Sequence, residues 1–512
     1  MKTNGKIQLY PLVRVAVTLI SGMLVADAIG ESFQPLVWLV ITIILVLLSI
    51  IVRSRNSQSL FVLCLSFSIG ATWMSRSLHQ QNVPIPEYSV TYDAVVTSHP
   101  VVKGKVVRCD LLTISGKRPL KISASFIRNP FSESIRTGDG IRITSVLEDI
   151  YGKTGTRPNM VRYMKTHGYQ AQTLVLPDEW VRTSVDLHEL SWMERARLAA
   201  LMVRDQLVEQ LKGKGFIDQD LAVVTAMSLG DKTMINKEIR ESYSISGVSH
   251  VLALSGMHLG IIYLVLSMTV ARWRRCRGLL RPVSEGVILL AIWMYVFLVG
   301  MSPSVVRSAV MITVFSLMSL LHRGKMSLNV LGFTAIVMLL SNPMNLFDVG
   351  FQMSFIAVAS ILLFSHRIFV CFPTLHHRLL RWLWGLLSVS LAAQIGVAPL
   401  TAYYFGQVSC YFLFTNIIIV MLTTLIIYLS LAFFIFLWLT PVASLLAQLL
   451  SVVAHVQNTV VHWVSTCPGS VISNIHLHVV QVLLIYVIIL CGYAMICRLD
   501  LYKHEKMITF AP

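Results

Sequence analysis

Charge is what this sequence has least of. Only 13% of its 512 residues are Asp, Glu, Lys or Arg, about half of what a soluble domain carries, which excludes a water-soluble globule and a disordered chain. Cysteine is sparse and shows no pairing pattern: the eight are scattered with no C-x-x-C spacing, so neither a disulfide framework nor a zinc ribbon is indicated. The one H-x-H, His476-Leu-His478, has no third ligand close by. No G-x-x-x-x-G-K-[ST] run is present to cradle nucleotide phosphates, so a motor would have to be a separate protein. The sequence implies no cofactor and no metal.

What is there is hydrophobic residue, 55% of the chain, arranged in blocks such as PLVWLVITIILVLLSIIV from Pro35 to Val52. A run of that length crosses ~30 Å of hydrocarbon at ~1.5 Å per residue. The expected fold is a polytopic α-helical membrane protein of about ten to twelve spans with an inserted extracytoplasmic OB-like β-barrel domain. The first stretch imitates a signal peptide, with Lys2, Lys6 and Ala26-Asp27-Ala28, but Arg14 interrupts its apolar core and two further spans follow at once. It reads as a retained helix.

Five regions follow: N-terminal transmembrane helices over 1–75, the β-domain over 76–185, an amphipathic helical connector over 186–243, a transmembrane domain over 244–498 and a basic tail over 499–512. Short alternating runs between Gly, Pro and Asn turn signals mark the β-domain. Spans are expected near 247–271, 282–300, 303–321, 327–341, 349–366, 382–404, 411–438, 441–464 and 476–497. AHVQNTVVHW, within 441–464, is polar enough to lie in the interface. Arg53 and Arg55, the Arg272–Arg281 loop, Arg323 with Lys325, Arg367 to Arg381, and the tail with Arg498, Lys503 and Lys506 all fall on one side of the alternation. Positive loops belong inside, which puts both termini in the cytoplasm and 76–243 on the far side of the membrane.

The net charge of +17 divides unevenly. Residues 76–243 hold 23 Lys and Arg against 19 Asp and Glu, leaving 19 against 6 for the hydrophobic parts. Most of the basicity thus reports orientation. In the β-domain, Tyr88, Tyr92, Phe126 and Tyr151 with Lys103, Lys105, Arg108 and Lys121 are candidates for a strand-binding face.

Polar groups inside spans are costly and point to function. In SGVSHVLALSGMHLG, 246–260, a continuous helix would put His250, Ser255 and His258 within an arc of about 140°, with Gly256 and Gly260 on an opposite packing ridge. In GMSPSVVRSAVM, Ser304, Arg307 and Ser308 share a face behind Pro303. In NPMNLFDVGFQMSF, Asp348 and Gln352 stack four apart around Gly350, beside Phe351 and Phe355, whose rings are candidates for stacking. Asp348 and Arg307 are expected to pair. Gln394 precedes a Gly396 and Pro399 break that suits a discontinuous helix.

These motifs, together with MSLGDKTMI (Gly230, Asp231) and the late Asn416, resemble the ComEC family of competence proteins over roughly residues 85–510. The resemblance implies a channel, not an enzyme, that admits single-stranded transforming DNA, with a separate extracytoplasmic DNA receptor and cytoplasmic translocase as partners besides the lipid bilayer. Family members often continue into a metallo-β-lactamase-like domain. This chain ends at Pro512 as a short form, so degradation of the second strand would fall to another nuclease. Where the family's β-domain ends in Asn-Pro-Gly, this chain has Arg157-Pro158-Asn159-Met160, and the Pro expected after Asn416 is replaced around Met421. Two alternatives stay open: a proton-coupled small-solute transporter using Asp348 and the histidines, and an intramembrane serine hydrolase using Ser255 and His258.

Overall fold

The computed structural model describes residues 10–30, 34–51, 55–81, 85–86, 88–114, 119–150, 158–216, 218–270, 280–320, 328–372 and 377–509. Tyr151, Arg157 and the basic loops holding Arg53, Cys276, Arg323 and Lys325 lie outside them. Three apolar helices open the chain: α1 (Pro11–Ile29), α2 (Pro35–Ile51) and α3 (Arg55–Gln81). Glycine sets how α1 and α3 cross. A Cβ at Gly22 would overlap the Phe67 carbonyl and one at Gly70 the Leu19 carbonyl, so the two backbones touch, as small residues permit in membranes.

The β-domain follows, with β1 (Ser89–Val96), β2 (Val101–Lys103), β3 (Val106–Thr113), β4 (Lys121–Ile127), α4 (Pro130–Glu133), β5 (Gly140–Val146), β6 (Glu148–Asp149), α5 (Pro158–Thr166), β7 (Ala171–Val175) and β8 (Trp180–Arg182). Its strand path closes on itself. β1 pairs with β3 and β5, β3 with β4, β4 runs parallel to β7, and β7 pairs with β6, the continuation of β5. Alternate residues face a core of Tyr92, Val107, Leu111, Ile122, Phe126, Ile141 and Ile143, as strands with one dry face require. Tyr92 and Phe126 are therefore core and cannot offer rings to a strand, which corrects the binding face expected from the sequence. Lys103, Lys105 and Arg108 on the β2–β3 hairpin remain exposed, while the Lys121 ammonium donates to the His167 carbonyl at 3.2 Å.

Next comes α6 (Trp192–Lys212), opened by a Ser191–Glu194 capping box and ended at Gly213. It packs on protein along one buried stripe of Leu198, Leu201, Arg204, Val208 and Leu211. Met202 lies under Gly138 of the barrel, and Leu201 and Arg204 lie against Gly300. Asp205 fastens this helix to two barrel loops, accepting from Thr137 Oγ1 at 2.7 Å and meeting His99 Nδ1 at 3.4 Å and Arg204 Nη2 at 3.1 Å. Burial alone would push the Asp205 carboxyl up; the His99 and Thr137 hydrogen bonds and the Arg204 charge outweigh it and hold the group at about 2. A carboxyl depressed on folding stabilises fully above about pH 4 and loses that contribution as pH falls through about 2. Asp205→Ala should thus cost roughly 2 kcal/mol at pH 7. Denaturation of wild type and variant should converge as pH drops from 4 to 2; a constant gap would contradict the assignment.

The remaining helices are α7 (Asp218–Ser228), α8 (Lys237–Ile245), α9 (Gly256–Thr269), α10 (Leu280–Leu298), α11 (Pro303–Leu320), α12 (Leu328–Ser341), α13 (Val349–Val370), α14 (Arg378–Phe405), α15 (Phe412–Ile435), α16 (Thr440–Thr466) and α17 (Val479–Thr509). Among the described residues nine helices are long and apolar enough to cross a membrane, and α2, α9 and α12 are shorter apolar helices. The chain is a polytopic helical membrane protein with an inserted β-domain.

Contacts divide it into two compact units, one of residues 1–236, 250–352 and 422–456 and one of 237–249, 353–421 and 457–512. The 244–498 region expected as one domain is thus shared between them, and the 186–243 connector contributes α6 and α7 to the first unit and most of α8 to the second. Within the second, the short strands β9 (Val408–Ser409) and β10 (Val471–Ile472) pair. The loops after α14 and after α16 therefore lie on one side, as span alternation requires. Within the first, α5 and α6 contact Asp27 in the last turn of α1, Gly300 just after α10 and Phe347 just before α13.

Candidate functional site

The segment preceding α9 differs most from expectation. Residues 246–255 are turns, not helix, and the helix begins at Gly256. His250 is therefore not on the same helical face as Ser255 and His258, and no Gly256–Gly260 ridge forms. Gly256 does allow close packing, since a Cβ there would lie 2.9 Å from Ser308 Oγ on α11, whereas Gly260 faces open space. The reason for the late start is local: Ser255 and His258 form a capping box, which fixes where the helix begins. Ser255 N donates to His258 Nδ1 at 3.2 Å and Ser255 Oγ lies 2.8 Å from the same atom. With Nδ1 accepting, Nε2 carries the ring proton, and Nε2 is buried without a partner among the described residues. His258 is only 1% exposed. At ~1.5 Å per residue the 14-residue α9 spans about 21 Å, short of the ~30 Å core.

Beside it, α11 opens with Pro303 at its first position, after Gly300 and Met301 turn the chain with positive φ. One turn in, Ser308 Oγ donates back to the Ser304 carbonyl at 3.0 Å, and the buried Arg307 reaches across to the start of α13. There Arg307 Nη2 donates to the Gly350 carbonyl at 2.9 Å and Nη1 lies 3.6 Å from Asp348 Oδ1. Arg307 Nε is buried with no partner among the described residues. Asp348 also caps α13, accepting from the Phe351 amide at 2.6 Å, and Gln352 Nε2 donates to the Leu346 carbonyl at 2.9 Å. A short 3-10 turn, Pro343–Phe347, delivers Asp348 to this place. Gly350 is needed because a Cβ would crowd Asp348 Oδ1 at 3.1 Å. Arg307 and Asp348, nominated as partners from sequence, are neighbours, with Gly350 between them and the Gln352 amide donating to the Asp348 carbonyl at 3.0 Å. Phe351 is 4% exposed and so is a packing residue, not a free stacking surface; Phe355 is half-buried in the second unit.

The GDKT turn closes α7 in the same unit. Gly230 takes φ 74 under Leu254 and Val299, and the buried Asp231 accepts from the Thr233 amide at 3.0 Å. Tyr295 Oη donates to the Ser228 carbonyl at 2.8 Å, fixing α10 to α7.

The other motif residues lie in the second unit. Gln394 is half-buried in α14, which is one continuous helix through Pro399, not the broken helix expected. Beside the proline, Tyr486 Oη donates to the Gly396 carbonyl at 2.7 Å, and a Cβ at Gly396 would overlap Ser360 Oγ, so a neighbouring helix packs closely there. Asn416 Oδ1 is buried without a partner among the described residues. Sequence reasoning missed one network. The buried Tyr243 donates to Asn458 Oδ1 at 2.9 Å and lies 3.1 Å from Gln457 Nε2, which explains the polar AHVQNTVVHW stretch as interior rather than interfacial. A Gln-Asn pair in mid-span was the available signal.

Among the described residues no three His, Cys, Asp or Glu side chains gather to hold a metal. The chain is 26% identical over 388 residues to ComE operon protein 3 of Bacillus subtilis (strain 168), covering 75% of this chain and 47% of that one. It is 32% identical over 163 residues to an uncharacterized protein of Aquifex aeolicus (strain VF5), 31% of this chain and 37% of that one, and 24% identical over 213 residues to the uncharacterized protein YcaI of Escherichia coli (strain K12), 40% and 28%. The chain thus spans about half the length, or less, of these relatives. No solved structure matches it. A family model described as competence protein matches residues 227–499, more than half of the chain and all the membrane motifs above, and the chain belongs to that family.

Proposed function

We propose that this chain passes single-stranded DNA across the bacterial cytoplasmic membrane during natural competence, with the β-domain outside and both termini inside. Family membership supports DNA as the cargo. A path through the bilayer is supported by one observation above the rest: a buried arginine, Arg307, on a span-length helix, next to a short helix whose approach over 250–255 is irregular backbone. Irregular backbone and charge at membrane depth persist only where protein buries them or water reaches them. Separate proteins would supply the receptor and the motor.

The rival readings have less to stand on. The Asp348 carboxylate that a proton-coupled transporter would use is committed to Arg307 and to the Phe351 amide. The Ser255–His258 contact that suggested a hydrolase is a helix cap. In a strain deleted for the gene, DNA bound outside should persist and nuclease-protected DNA inside should vanish, with wild type restoring it; normal import by the deletion strain would end this reading. Sidedness is separately exposed. Cys109 is buried in the barrel core and burial pushes its thiol up, so it is no probe. Lys105→Cys on the exposed β2–β3 hairpin should react with a membrane-impermeant maleimide in intact spheroplasts, and protection until lysis would reverse the orientation.

A further inference from the structure

The β-domain meets the segment that carries Asp348 through α5, and the contact that matters is Arg162. Arg162, on α5, places its guanidinium 3.9 Å over the Phe347 ring, and Phe347 is the last residue of the 3-10 turn immediately before Asp348. The same guanidinium reaches Asp27 Oδ2, at the end of α1, at 3.3 Å. Asp348 in turn meets Arg307 and caps α13. Outer domain, turn, carboxylate and buried arginine thus form one short covalent and non-covalent chain, all within the first compact unit. The neighbouring Tyr163 carries the same proximity: burial, then the charges of Asp110 and Asp348, push its phenol up.

The two ends of this chain differ in strength. Arg307 is 3% exposed, and such pairs are costly to break. Arg162 is 55% exposed and Asp27 31%, and an exposed ion pair contributes little, so another anion can compete for that guanidinium. Stacking on the Phe347 face is what makes Arg suitable, since a planar guanidinium can lie on a ring while its edge serves an anion.

We propose that Arg162 is a positioning residue for the intramembrane Arg307–Asp348 pair, and that phosphates of a strand at the outer domain compete with Asp27 for its edge, loosening the 3-10 turn and opening the way past Arg307. The phosphate half rests on the DNA reading above; the positioning half does not.

The test uses the full-length chain without its native cysteines, carrying Ser304→Cys, in nanodiscs. The rate of reaction with a water-soluble maleimide is read with and without a 20-mer oligothymidylate. Ser304, half-buried on the Arg307 face of α11, reports access to the pair. Arg162→Ala should raise the rate about five-fold without oligonucleotide, the equivalent of roughly 1 kcal/mol. Arg162→Lys should fall between, because it keeps the charge and loses the planar stack, and Arg142→Ala, which breaks the outer Arg142–Asp93 pair, should leave the rate unchanged. An unchanged rate in folded Arg162→Ala overturns the positioning role, as does an equal rise in Arg142→Ala. Oligothymidylate should raise the wild-type rate and add nothing in Arg162→Ala. A rise with Arg162→Ala but none with oligothymidylate keeps the positioning role and overturns the phosphate half.

Discussion

Arg307→Ala should destabilise the membrane body by about 3 kcal/mol and abolish internalised DNA while leaving external DNA binding intact. Removing one partner of a buried pair costs about 3–5 kcal/mol because the other is stranded. The lower end applies here, since Asp348 keeps 15% of its side chain exposed and retains the Phe351 amide. The Gly350 carbonyl would also lose its donor. The decisive companion is Arg307→Met with Asp348→Leu. Replacing both ions by apolar groups removes the desolvation cost together with the attraction, so stability in detergent should recover most of the loss, falling short of wild type by about 1 kcal/mol for the Phe351 cap that Asp348 supplied. Import should not return if Arg307 serves the path. Full import by the double variant would make the pair a structural device and remove it from the mechanism.

Gly70→Leu should be about as damaging for a different reason. Any side chain at that position overlaps the Leu19 carbonyl, a backbone atom that cannot rotate away, and Gly22 meets the Phe67 carbonyl the same way. Overpacking a close contact costs about 1–3 kcal/mol, and the upper end is expected where the obstacle is main chain. The variant should accumulate poorly and melt early. Gly260→Ala, at a glycine with open space around it, should be neutral within about 0.5 kcal/mol. Equal melting of the Gly70 and Gly260 variants would show that α1 and α3 can separate without consequence.

The glycine result also illustrates what could be read from the chain and what could not. Gly256-x-x-x-Gly260 has the spacing of a packing motif, yet only Gly256 has a neighbour, while Gly22 and Gly70, in the less conspicuous small-residue spacings Gly22-x-x-x-Ala26 and Ser66-x-x-x-Gly70, make the close crossing. Spacing states that two glycines share a face; it does not state that another backbone arrives there. The same holds for Tyr92 and Phe126. Their types suit stacking on bases, but strand register turned both inward.

By itself the sequence determined the membrane class, the inserted β-domain, the expected spans and the pairing of Arg307 with Asp348. These follow from local hydropathy, turn signals and the cost of unpaired charge in hydrocarbon, all of which act over a few residues or leave few partners to choose from. Only the tertiary structure decided that a Ser255–His258 cap delays α9 to Gly256, that α14 runs unbroken past Pro399, that Gln457 and Asn458 meet Tyr243 inside the protein, and that Arg162 reaches Phe347. The cap is set by a neighbour three residues away, but the Tyr243 network and the Arg162 contact depend on what a residue distant in sequence offers, an amide or a ring. Hydrogen bonds and close backbone contacts select among conformations of nearly equal local energy, so their outcome is fixed only when the partner is in place.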